Sequence, residues 1–266
     1  MHVFFVPVLN TIITRYGRHS IKGFGLFCAI YLIPQFVLMY FFSMSDWWLW
    51  VMSIVLVLNL YEIGYIQNDT ETIKFESNPT LRYNPEELSF YERHKLIIYG
   101  WRTFLGLVLS FLFLYFANFN SYMRVTIIVL WLLLPIYLLY NSIRNGWNFC
   151  LLTVLTSYRF IMPTFLSVTQ LGWLGGIYLY ALYPLPAFLQ ELVMGKFGIN
   201  VPFVKKYILS DFSNRYFFRI KYYSILTFAC ILLYSLHYVE WKYLLLPLYY
   251  LLLRICLFYV QRRGMI

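Results

Sequence analysis

The sequence predicts an all-α integral membrane protein of about eight transmembrane helices arranged as two four-helix halves. Three observations predict it. The 266 residues are 61% hydrophobic and only 12% charged, with a mean hydropathy of +0.66, far from the usage of a soluble globule. Apolar stretches of about 20 residues, each long enough to cross a bilayer, recur along the chain. Basic residues collect in alternate connections, as the positive-inside rule requires of a multi-pass protein.

Taken in order, the opening MHVFFVPVLNTIITRYGRHS lacks the form of a cleaved signal, because Arg15 and Arg18 follow its apolar part and no small-residue cleavage site appears. It reads as an interfacial amphipathic helix. Spans then fall near 23–43, 47–66, 97–117, 123–142, 149–168, 170–190, 222–239 and 242–261. They leave no room for a soluble domain, so residues 1–266 read as one transmembrane domain. Two connections are long, 67–96 and 191–221, one after the second helix of each half, a layout able to enclose a site between halves.

Arg124 and Lys242 are the only basic residues in the opposite connections, and Arg102, Arg159 and Arg254 fall inside spans. The other sixteen of the 21 Lys and Arg share one side, which places both termini in the cytoplasm. The net charge of +10 is therefore a topology signal with attraction to anionic headgroups, and no soluble basic face remains for nucleic acid. Cys28, Cys150, Cys230 and Cys256 all lie in spans without zinc or redox spacing, and His2, His19, His94 and His237 lack ligand spacing.

The most informative segment is YEIGYIQNDTETIKFESNPTLRYNPEE, residues 61–87. A helix continuing through residue 76 would put Glu62, Tyr65, Asp69, Thr72 and Glu76 on one face. Asp69 and Glu76 would then stand about 10.5 Å apart along the axis, able to hold opposite sides of a cation and phosphate cluster, with Arg82 following. A solvated face on a loop rich in Glu and Lys is the alternative. Against it, Glu62 lies within a span and Asp69 at its boundary, where ionisable groups are costly and usually functional. Tyr140, Arg144 and Asn148, four apart, would share a helix face, with Arg144 reaching a phosphate or anchoring the inner side. Arg159, mid-span, requires a polar cavity or a partner, whereas Arg102 reads as a structural partner of Glu62 on the neighbouring helix.

Asn68-Asp69 at the end of the second span, followed by acids and by Asn78-Pro79-Thr80-Leu81-Arg82, resembles the first aspartate-rich motif of the UbiA superfamily of intramembrane prenyltransferases. Pro79-Thr80 and Arg82 look most like its decaprenyl-phosphate phosphoribosyltransferase branch. The resemblance extends to Tyr140, Arg144 and Asn148, to SYRF at 157–160, to Gln190-Glu191-Leu192 and to the stretch from Lys205 to Tyr222. It implies transfer of a phosphoribosyl group from phosphoribosyl diphosphate to a polyprenyl phosphate in building the cell envelope. Catalytic and Mg²⁺-binding roles would fall to Asp69 and Glu76, and substrate binding to Asn68, Thr72, Arg82, Tyr140, Arg144, Asn148, Arg159 and Glu191. The sequence departs from the family where its second acid would fall, near Thr72, and in a second motif reduced to Glu191 with Asp211 downstream. Prenyl transfer from a prenyl diphosphate to an aromatic or other acceptor, and non-catalytic lipid-phosphate binding or transport, are the alternatives.

Overall fold

A computed structural model of the chain describes residues 2–17, 21–42, 47–76, 79–143, 145–168, 172–193, 201–202, 206 and 215–262. Among them every regular element is helical, and seven helices are long and apolar enough to span a membrane. Two compact units divide the chain, Met1–Leu171 and Gly172–Ile266, so the division follows the fifth span and not the fourth. Arg144, Asp211 and most of the expected connection 191–221 lie outside the described residues.

The first unit holds α1 (Ile21–Phe42), α2 (Trp47–Thr70), α3 (Pro85–Phe116), α4 (Ser121–Ser142) and α5 (Trp147–Ser167). Helix α2 is apolar on all faces over its first part and is the most enclosed span, 61% buried against 22–39% for the rest. Leu56, Val57, Leu60 and Tyr61 pack there against Leu130, Leu133 and Tyr137 of α4 and Leu155 of α5. Gly64 permits the closest approach, since a Cβ there would fall 2.1 Å from Cγ of Tyr137. Phe104, Leu107 and Phe111 stay exposed along one stripe of α3, as a lipid-facing surface should.

Helix α3 begins earlier than its apolar stretch, at Pro85, because Asn84 and Glu87 form a capping box with proline at the first helical position. The expected loop 67–96 is therefore mostly helix. A kink at His94 separates the polar first turns from the apolar span.

The N-terminal segment differs from an amphipathic surface helix. Its turns at His2–Phe4, Leu9–Thr11 and Ile12–Tyr16 are interrupted, with Val8 at φ 73°. Phe4, Asn10 and Thr11 are fully buried. The cause is a buried ion pair. Glu62 of α2 and Arg102 of α3 meet at 3.0 Å, and between them they satisfy backbone that no helix satisfies. Glu62 accepts the N–H groups of Val8 (3.1 Å) and Thr11 (2.6 Å), while Arg102 donates to the carbonyls of Phe4 (2.7 Å) and Val6 (3.1 Å).

The second unit comprises α6 (Gly172–Leu182), α7 (Pro184–Val193), α8 (Arg215–Ser235) and α9 (Lys242–Arg262). The expected span 170–190 is broken at Tyr183 before Pro184, so neither α6 nor α7 is long enough to cross a membrane alone.

Prolines inside helices free the carbonyl four residues earlier, and tyrosines on neighbouring helices take the place of the missing donor. Pro163 frees the Arg159 carbonyl, which accepts from Tyr31 of α1 at 3.0 Å. Pro247 likewise frees the Tyr243 carbonyl for Tyr178 of α6 (3.0 Å), and Tyr223 of α8 donates to the Leu182 carbonyl left open at the end of α6 (2.7 Å).

Candidate functional site

The last turns of α2 carry Tyr61, Glu62, Tyr65 and Asp69 at helical spacing, and this face receives the N-terminal segment. Asp69 has no exposed side-chain surface. Arg82 Nη1 donates to Asp69 Oδ1 at 2.6 Å, and Arg15 places Nη1 2.8 Å from Oδ2 and donates from Nη2 to Oδ1 at 3.2 Å. Asn68 Nδ2 adds a bond to Oδ1 at 3.1 Å. The Arg15 Nη1 and Asp69 Oδ2 contact is an ion pair without hydrogen-bond alignment, which leaves a guanidinium proton of Arg15 uncommitted.

Tyr65 extends the cluster. Its ring lies 3.9 Å from the Arg15 guanidinium carbon, and its hydroxyl accepts from Arg159 Nη1 at 3.0 Å. Arg159 is buried. It reaches the Tyr16 hydroxyl at 3.4 Å, faces the Tyr31 and Tyr61 rings, and has no partner for Nε. Two guanidiniums thus share one carboxylate and Arg159 joins them through the Tyr65 hydroxyl, an excess of positive charge in a largely water-free setting open where Arg82 is 31% exposed. Burial opposes the Arg15 charge, but Tyr65 and Asp69 favour it and leave its pKa above the ordinary arginine value.

The opposite face of α2 lines two cavities. One of about 330 Å³ lies among Gly64, Gln67, Glu71, Lys95, Tyr99 and Tyr137, and one of about 400 Å³ among Gln67, Glu71, Thr72, Phe75, Asn141 and Ser142. Glu71 pairs there with Lys95 and with Lys74 (3.0 Å), and accepts from Tyr91 at 2.8 Å.

The structure regroups the residues that the sequence singles out. Asp69, Asn68, Arg82 and Arg159 belong to the arginine cluster, and Thr72 lines a cavity. Helix α2 stops at Thr70, a tight turn follows at Thr72–Phe75, and Glu76 is extended at φ −92°, so no helical face joins Glu76 to Asp69. Tyr140 and Asn148 sit on two helices, because α4 ends at Ser142 and Ile143 is extended. Asn148 caps α4 by donating to the Tyr140 carbonyl at 3.0 Å. Glu191 lies on α7 in the second unit. Arg15 belongs to the site and was readable only as a topology signal, because its 54-residue separation from Asp69 leaves no local pattern.

A Mg²⁺ ion, which the family resemblance implies, needs open carboxylate oxygens. Oδ1 of Asp69 accepts from two guanidiniums, Oδ2 is ion-paired to Arg15 without a hydrogen bond, and no three His, Cys, Asp or Glu converge among the described residues. The donor set does not fit the ion. What the cluster offers is planar, fixed donors suited to phosphate oxygens. Comparison of the chain with protein-family models, with curated proteins and with solved structures finds no match in any of the three.

Proposed function

We propose that the protein is a UbiA-like membrane transferase acting on a polyprenyl phosphate, with phosphoribosyl diphosphate as the donor. The observation that carries this reading is the excess of guanidinium over carboxylate where Arg15, Arg82 and Arg159 gather about Asp69 and Tyr65. Asp69 acts as the organiser of two arginines, fixing the donors in advance so that little ordering accompanies phosphate capture. The lipid phosphate oxygen attacks the anomeric carbon of the donor, the bond to diphosphate breaks, and the arginines take up the charge that develops on the leaving group. In this reading α6 and α7 together supply the eighth crossing, and both termini face the cytoplasm.

The engagement of both Asp69 oxygens also supports a second reading, a lipid-phosphate binding protein without transfer. One assay separates them. Purified protein is incubated with labelled phosphoribosyl diphosphate, polyprenyl phosphate and Mg²⁺, and in parallel with prenyl diphosphate and aromatic acceptors. Label entering polyprenyl phosphate supports the transferase, and a prenylated acceptor redirects it to prenyl transfer. Binding of polyprenyl phosphate with neither product supports the second reading. Absence of both products, with polyprenyl phosphate binding unaltered in Arg82→Gln and Arg159→Gln, ends both.

A further inference from the structure

Helices α8 and α9 of the second unit run antiparallel, joined by a short turn in which His237 takes φ 61°. The stacked rings of Tyr223 and Tyr250, 5.1 Å apart and 14° from parallel, fix which residues lie level. Arg219 precedes Tyr223 by one turn, and Arg254 follows Tyr250 by one turn. In an antiparallel pair those two steps go the same way, so the arginines share a level on the face that carries the stack. They are only 8% and 9% exposed.

Neither has a carboxylate partner among the described residues. Arg219 donates from Nε (3.0 Å) and Nη2 (2.9 Å) to the single amide oxygen of Gln190, and its Nη1 has no acceptor. Arg254 Nε is likewise buried without an acceptor. An arginine cannot shed its proton, and two buried like charges at one level repel while each bears its own desolvation cost. Arginines inside membrane spans pair or line functional sites. Among the described residues neither arginine is given a carboxylate to pair with.

We propose that Arg219 and Arg254 form a binding site for the phosphate of an anionic lipid, held between α8 and α9 at headgroup depth. The depth follows from position: the pair lies in the half of the hairpin away from its turn, one turn into α8 and two turns before Arg262. The uncommitted Nη1 of Arg219 and Nε of Arg254 supply donors from two directions, and the Gln190 oxygen braces Arg219. This site does not depend on the Asp69 cluster.

Native mass spectrometry of the purified full chain, titrated with phosphatidate, phosphatidylcholine and inorganic phosphate, tests it. Phosphatidate should bind about tenfold or more tightly than phosphatidylcholine, and Arg219→Gln and Arg254→Gln should each weaken it about tenfold. The same loss should appear in an Arg82→Gln background, and Arg254→Lys should lose less. Competition by millimolar inorganic phosphate assigns the site to soluble phosphoryl anions, and its absence to the lipid headgroup. Either result keeps the anion site. Unchanged phosphatidate binding in both glutamine variants overturns it. Should those variants fail to fold, the wild-type chain decides: a thermal midpoint raised equally by phosphatidate and phosphatidylcholine also overturns it.

Discussion

Glu62 and Arg102 face each other across α2 and α3 at 3.0 Å, with neither side chain exposed, and hold the N-terminal segment between them. Removing one partner leaves the other charged in the interior. Arg102→Met should destabilise the protein by about 3–5 kcal/mol, read as a lowered thermal midpoint in detergent. Protease cleavage within residues 2–16 should rise in parallel, because the same substitution removes the donors to the Phe4 and Val6 carbonyls.

At the crossing of α2 and α4, Gly64→Ala sets a methyl group against the ring of the fully packed Tyr137. The expected cost is about 1–3 kcal/mol. A thermal midpoint equal to wild type would show that the ring has room to move.

Tyr31→Phe should cost about 1–3 kcal/mol by leaving the carbonyl freed at Pro163 without its donor. Restoring a continuous helix is the control: Pro163→Ala in the same background should recover part of the loss, since the amide of residue 163 then serves the Arg159 carbonyl.

Arg82 is the exposed member of the arginine cluster. Arg82→Gln should weaken polyprenyl phosphate binding about tenfold. Arg93→Gln should leave it unchanged, because that side chain turns back to its own helix at the Ser89 carbonyl. Equal losses in the two variants would reduce the effect to net charge.

Arg15, with its pKa above the ordinary arginine value, stays cationic across the accessible pH range. Binding should therefore strengthen as pH rises through about 6, where a phosphomonoester loses its second proton, and then level off. A maximum near that pH, followed by a decline, would point to a titrating protein group instead.

Much of the fold was legible because a bilayer imposes length and apolarity on each span, and the Glu62 and Arg102 pairing was legible because two charges in neighbouring spans have few other solutions. The burial of residues 2–16 was not. That segment carries the same apolar and basic alternation as a surface helix, and its place depends on backbone groups that meet Glu62 and Arg102 only in three dimensions. The early start of α3 was written in Asn84-Pro85 and Glu87, a local signal that a hydropathy window averages away. The end of α2 at Thr70 was harder to read, because residues 71–76 contain neither proline nor glycine. The Arg15 and Asp69 contact needed the whole fold, because 54 residues separate the two side chains in sequence.

The tyrosines that answer opened proline carbonyls have a consequence for how the helices find one another. Lipid tails are as apolar as the helices, so greasy surfaces alone do not single out one rotation or one vertical offset. Pro247 with Tyr178 ties α9 to α6, and Tyr223 ties α8 to the carbonyl that ends α6, each at a single rung. These phenols act as indexing pins: a helix turned or slid by one step would leave both a bare carbonyl and a stranded hydroxyl in hydrocarbon.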